Sequence, residues 1–440
     1  MRNLHVRLVA AGALLALGAA ACGGGSSGGG GGSSSAPGVT KTSVTIGSTQ
    51  PLTGIAAVGY SEIAPASKAY FDYVNAHGGV NGRTITYDYV DDAYDPTKTV
   101  SQTKKLILQD KVFAIFNALG TPTHQQVVGF LNQQKVPDLF VASGCLCWNQ
   151  PKTQPQTFGW QPDYTIEGKI LGQYIAQHFK GKRIAYFYQN DDFGQDGVKG
   201  LDMEIPKSQV VSRQGYDAAN PNGVGALVQK LAAAKPDLIV SFSVPAFTAI
   251  LKLSMLKLHL NSKLAVTNVG SDPITLSTYL QGISKQAGAA VSGSTASALI
   301  QGIITDGYLS SPADPTNSWI KLFKQIHDKY IPKLPFDGNV LYGMSAAYTF
   351  VQALKKAGAN PTRESLVKAV ESGLDPGPGL VPFRFSSTSH AGYGGVQIGV
   401  ISGDAIKLQG QPLTTDDGSG PIKPYTTPQA QAPANGIPAS

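Results

Sequence analysis

The chain's 440 residues, 42% of them hydrophobic and 14% charged, exceed one ordinary domain and suit two, each long enough to bury a core. The formal charge of +7 is diffuse: its densest cluster, Lys180-Gly181-Lys182-Arg183, lies between a helical pattern and a strand, as a solvated turn does. That distribution argues against a nucleic-acid surface.

Arg2 and Arg7 flank the start of an apolar run over 8–21, which ends in small residues before Cys22. The run is too short to span a bilayer and has the shape of a secretion signal over 1–21. Ala19-Ala20-Ala21-Cys22 resembles a bacterial lipobox, in which the cysteine is lipidated. Such sequences prefer Leu where Ala19 stands, and plain cleavage near Ala21 is the alternative. The Gly/Ser run that follows has no strand before it and no Gly-Lys-Ser/Thr after it, so 22–43 reads as a flexible tether. No other stretch is long and apolar enough to span, which places the expected mature protein outside the membrane.

From residue 44 strand and helix patterns alternate. A strand over 44–48 precedes Gln50-Pro51-Leu52-Thr53-Gly54. Ile63, Ala66, Tyr70, Tyr73 and Val74 recur at helical spacing, and His77-Gly78-Gly79 stops that helix. A strand over 84–90, a helix over 97–109 and a strand over 112–116 follow. A helix over 124–134, a strand over 138–142 and the loop Ser143-Gly144-Cys145-Leu146-Cys147-Trp148 end the series. A second series begins after Pro162. It has helical patterns near 166–179, 224–234 and 246–258, and strands over 183–188, 209–213, 237–242 and 263–266. Helices return at 317–330, 342–357 and 362–372, and 383–406 reads as short strands with turns. The tail beyond Leu413, rich in Pro, Thr, Gln and Ala, is expected to be disordered. Two sets of parallel strands with intervening helices predict two doubly wound α/β lobes.

The stretch 116–148 carries two hydroxyl-rich loops at strand carboxyl ends, where open α/β sheets bind ligands. Gly120 and Thr121 precede a predicted helix whose N–H groups suit an anion, although Thr121 reads equally as that helix's N-cap. Trp148, Tyr164 and Phe193 are candidate cleft walls. Asp192 reads as a site residue or as an N-cap, and Ser271 and Asp272 are candidates to meet a solute ammonium. Tyr342 is a candidate from the late segment. Cys145 and Cys147 are packed thiols or a local disulfide; no His or further Cys completes a zinc set.

Taken together, the exported start, Gln50-Pro51-Leu52-Thr53-Gly54, and the run from Asn75 to Arg83 followed by Asp91-Asp92 resemble the type I periplasmic solute-binding proteins. Val136-Pro137, Tyr164 with Glu167, and Asn190-Asp191-Asp192-Phe193-Gly194 extend the match to the Leu/Ile/Val-binding branch that serves ABC importers. The resemblance implies two Rossmann-like lobes joined by three crossovers: 44–160 with 291–380, and 161–290 with 381–413, leaving 414–440 as the tail. It implies a hinge closing on a small amino acid-like solute, with Gly54, Ser143 and Gly144 joining the site. Cys145 stands where relatives commonly have a hydroxyl, and a thiol is a poor donor. It also implies a monomer on the outer face of the cytoplasmic membrane, held by a lipid at Cys22, that hands its solute to permease subunits. No cofactor, metal or nucleic acid is expected. An amide, urea-like compound or aromatic acid is an alternative solute, and sensing without transport an alternative role. An enzyme is disfavoured, because Gly-x-Ser-x-Gly, His-Glu-x-x-His and a lysine phosphate loop are all missing.

Overall fold

The computed structural model describes residues 36–439; the expected signal segment, Cys22 and most of the tether lie outside them. Two sheets organise the chain. The first runs β2-β1-β3-β4-β5, from β1 (Ser43–Gln50), β2 (Thr84–Asp91), β3 (Ile115–Phe116), β4 (Asp138–Val141) and β5 (Thr157–Gly159). All its pairings are parallel. The second is built on β6 (Ile184–Gln189), β7 (Val210–Tyr216), β8 (Leu238–Phe242), β9 (Lys263–Val266) and β10 (Ile304–Gly307), in the parallel order β10-β9-β8-β6-β7. β11 (Gly395–Ser402) joins it antiparallel to β10. β12 (Ala405–Leu408) and β13 (Leu413–Thr414) both pair with β11, and β14 (Lys423–Pro424) pairs with β13.

Strands covered by helices on both faces must be apolar along their whole length rather than alternating. β8, Leu-Ile-Val-Ser-Phe, is buried throughout. Helix starts follow side-chain caps: Asp95, Asp163, Asp191, Asn317, Asp337 and Thr362 each accept from a first-turn N–H.

Several expectations change. The helix expected over 124–134 is two short pieces, Thr121–His124 and Val128–Gln133. The helices Pro273–Gln286 and Gly293–Ile300 and the strand β10 had not been read from the sequence. β10 is only Ile-Thr-Asp-Gly, too polar to stand out, yet it pairs with β9. The chain therefore returns to the first lobe after Gly307 rather than at 291.

The expectation of a disordered tail is also corrected. Residues 414–439 lie along both lobes, because groups on the folded body satisfy a segment that has no core of its own. Lys169, almost wholly buried, donates to Thr415 Oγ1 at 2.9 Å and to the carbonyls of Gly418 and Gly420. Further on, Trp319 Nε1 donates to Ala430 O at 2.7 Å and Tyr70 Oη to Gly436 O at 2.8 Å. Ending the chain at residue 413 removes the Lys169, Trp319 and Tyr70 hydrogen bonds to the tail, each worth about 1 kcal/mol net, so stability should fall by a few kcal/mol. Denaturant unfolding of the shortened and full chains should show that loss; equal midpoints would mean that the tail contributes no stability.

Candidate functional site

A parallel sheet puts all its strand carboxyl ends on one edge, and the two edges here face each other. Between them lies a cavity of about 250 Å³. Its wall takes Leu119, Gly120 and Thr121 after β3, Ala142 after β4, Phe193 after β6, Val244 after β8, Asn268 after β9 and Asp306–Tyr308 from β10 onward. Both lobes contribute, and hydrogen bonds cross between them. Tyr60 Oη donates to Val269 O at 2.9 Å, Tyr279 Oη to Ile55 O at 2.5 Å, and the Leu146 N–H to Asp196 Oδ2 at 2.8 Å. Gln125 Nε2 donates to Asp192 Oδ2 at 2.5 Å. This is a closed arrangement.

Six residues singled out from the sequence line the cavity: Gly120, Thr121, Tyr164, Phe193, Asp272 and Tyr342. Gly120 has φ +107°, and a Cβ there would sit 2.6 Å from the Tyr94 ring, so only glycine lets that ring approach. Thr121 does not cap a helix; its hydroxyl pairs with Ser143 Oγ at 2.7 Å, and the cap position is Gly120. The helix that follows is a four-residue turn, which leaves little dipole for an anion. Tyr164 packs against Phe193, ring centres 4.5 Å apart. Burial pushes the Tyr164 phenol well above its ordinary range, opposed by hydrogen bonding with the Gly144 backbone and the Ser143 and Thr121 hydroxyls. Its hydroxyl thus meets the same donors expected to hold a solute. Tyr342 accepts from Asn117 Nδ2 at 3.0 Å and stands edge-on to Trp160.

The other candidates stand off the cavity wall. Gly54, at φ +87°, packs its turn against the Ala93 carbonyl. Ser143 is buried behind Thr121, and Gly144 leaves room for the Tyr164 ring, which a Cβ would meet at 2.9 Å. Cys145 is disulfide-bonded to Cys147, so of the two readings left open the bridge is the one found. Trp148 is buried edge-on to His124 and walls nothing. Asp192 is in the first turn of the helix Asp192–Glu204, whose cap is Asp191; it reaches Gln125 across the lobes. Ser271 is buried and accepts from Thr305 Oγ1 at 2.7 Å.

Several lining residues were missed. Tyr94 follows Ala93, and both have positive φ, 60° and 53°. Two consecutive left-handed residues cost energy, and here they aim an aromatic ring into the cleft. The sequence does show Tyr94 in a strand-end loop, Asp91-Asp92-Ala93-Tyr94, and that was the available signal. Tyr60, Tyr308 and Asp306 gave none. Together the walls are mostly aromatic and aliphatic, with Asp272, Asp306, Asp337 and Asp404 and no Lys, Arg or His among the described residues.

Two open α/β lobes closing on one such cavity define the type I periplasmic-binding-protein fold. The family model described as periplasmic binding protein matches residues 43–404, and the chain belongs to that family. A Leu/Ile/Val-binding protein homolog 1 from Brucella abortus is 26% identical over 345 residues, 75% of this chain and 83% of its own length. Among solved structures, a branched-chain amino acid ABC transporter protein from Thermus thermophilus with bound valine aligns with TM-score 0.72 at 19% identity, over 86% of this chain and 98% of its own. A fatty acid ABC transporter substrate-binding protein from Thermomonospora curvata aligns with TM-score 0.71 at 23% identity, over 87% and 95%.

At one end of the cavity three carboxyls meet across the lobes. Glu62 and Asp337 come from the first lobe; Asp272 caps Pro273–Gln286 in the second and also accepts from the Gly338 N–H at 3.1 Å. Burial, opposed by hydrogen bonding to Asp337 and reinforced by the Asp272 charge, pushes Glu62 up to about 7. Parting the lobes takes the Asp272 charge away and so relaxes part of the upward push on Glu62, of which burial is the larger cause. The closed form therefore binds protons more tightly than the open form, and its advantage is lost as pH rises through about 7. An interlobe distance probe in the unliganded protein should show more closure at pH 6 than at pH 8. A constant distance would remove the cluster from the closing equilibrium.

Proposed function

We propose that this protein is an exported receptor of an ABC importer that closes on a small solute and passes it to permease subunits. Lipid attachment at Cys22 would hold it at the outer face of the cytoplasmic membrane, as a monomer. The observation that carries this reading is one cavity walled by strand-end loops of both lobes and spanned by hydrogen bonds between them. A solute buried there touches both lobes only when they are closed, and that differential contact is what shifts a hinge equilibrium. The aliphatic and aromatic wall suits an apolar body such as a branched side chain, in keeping with relatives named for Leu, Ile and Val. The volume lies below the roughly 300–1,000 Å³ usual for drug-sized ligands, which points to small cargo.

A thermal-shift screen over amino acids, amides, urea-like compounds, aromatic acids and fatty acids tests the reading. A cognate solute at 100 times its dissociation constant adds about 2.7 kcal/mol of stability. Chemical change of a bound solute, or unimpaired uptake of it after deletion, would contradict a transport receptor.

A further inference from the structure

We propose that Asp306, with Glu167 behind it, is the seat for a protonated amine of the solute. The inference rests on the solute-receptor reading and names the chemistry of one end of the cargo. Asp306 is the third residue of β10 and lines the cavity; Glu167 lies in the first turn of the helix Tyr164–His178. Both are fully buried. One oxygen of each is satisfied: Glu167 Oε1 accepts from Thr267 Oγ1 at 2.5 Å and from the Asn268 N–H at 2.8 Å, and Asp306 Oδ1 accepts from Asn268 Nδ2 at 3.2 Å. The other two, Glu167 Oε2 and Asp306 Oδ2, are buried with no donor.

Two buried carboxylates with vacant acceptors are costly unless a proton or a cation lies with them. The protein supplies no cation, since no Lys, Arg or His lines the cavity among the described residues. The groups facing the pair are Thr267 and Asn268 from the loop after β9 and the phenols of Tyr164 and Tyr308, none of them positive. In the empty cleft one proton shared by the two carboxyls offsets the charge. An ammonium entering the cavity takes its place, donating to Asp306 Oδ2 on the wall with the Glu167 carboxylate behind it, and the shared proton leaves to the buffer. A solute whose only charge is a carboxylate meets like charge instead. Asp272, the acid expected from the sequence to meet an ammonium, is already occupied by the Thr275 and Gly338 N–H groups.

Titration calorimetry on the full chain tests this with matched probes: L-leucine and 3-methylbutylamine, each carrying an amine, against amine-free 4-methylpentanoate, with tyramine against 3-(4-hydroxyphenyl)propionate as a second pair. The amines should bind, and buffers of differing ionisation enthalpy should show up to one proton released per amine bound. The amine-free acids should bind at least about tenfold more weakly. D306N should weaken amine binding about tenfold or more and abolish proton release. E167Q, which keeps an acceptor toward Thr267, should retain measurable amine binding but release no proton. Amine-free acids binding as tightly as their partners, or D306N binding amines unchanged, would overturn the amine seat while leaving a solute receptor standing. Absence of binding by every amine would overturn it as well.

Discussion

Parallel strands leave their carboxyl ends on one edge, and most of this structure follows from two such edges facing each other. The loops leaving those ends carry backbone N–H and C=O groups that no strand satisfies, so they must bond across the gap, to side chains or to a solute. Here they do so across the lobes, as Tyr60 to Val269 and Leu146 to Asp196 show. The same geometry explains why residues from eleven separated segments meet in one cavity. It also explains why the strand-end loops, rather than the helix faces, hold the unusual backbone of Ala93, Tyr94 and Gly120.

The electrostatic character of the cleft is set by burial more than by composition. The chain is net positive, yet the cavity has four aspartates and no basic side chain among the described residues. The lysines and arginines are spent elsewhere; Lys169, for instance, points into the tail. Buried carboxyls raise their own proton affinity and each other's. The cleft thus holds two proton-sensitive groups of carboxyls, one bridging the lobes and one within the second lobe. Both favour a positive charge where their acceptors lack donors.

The tail adds a mechanical element. It leaves β13, turns over Lys169 at Thr415–Gly420, pairs back through β14 and ends against Trp319, Tyr70 and Lys355 of the first lobe. A hinge here works with this strap in addition to the three crossovers, so closing must either carry the strap or slide beneath it.

Local physics was enough to read the alternating α/β plan, the strand-end loop at Gly120-Thr121 and the helix stop at His77-Gly78-Gly79, because apolar periodicity and glycine chemistry act over a few residues. Thr121, Tyr164 and Phe193 were legible as cleft residues for the same reason: they follow strand ends or open helices. Tertiary structure alone decided that Trp148 and Ser271 turn into the core, that Cys145 and Cys147 join, and that the polar strand β10 completes the second sheet. It also decided that Asp306 and Glu167, 139 positions apart in the chain, face each other. Which buried acid lacks a donor depends on every neighbour packed around it, and those neighbours come from segments that only the folded chain brings together.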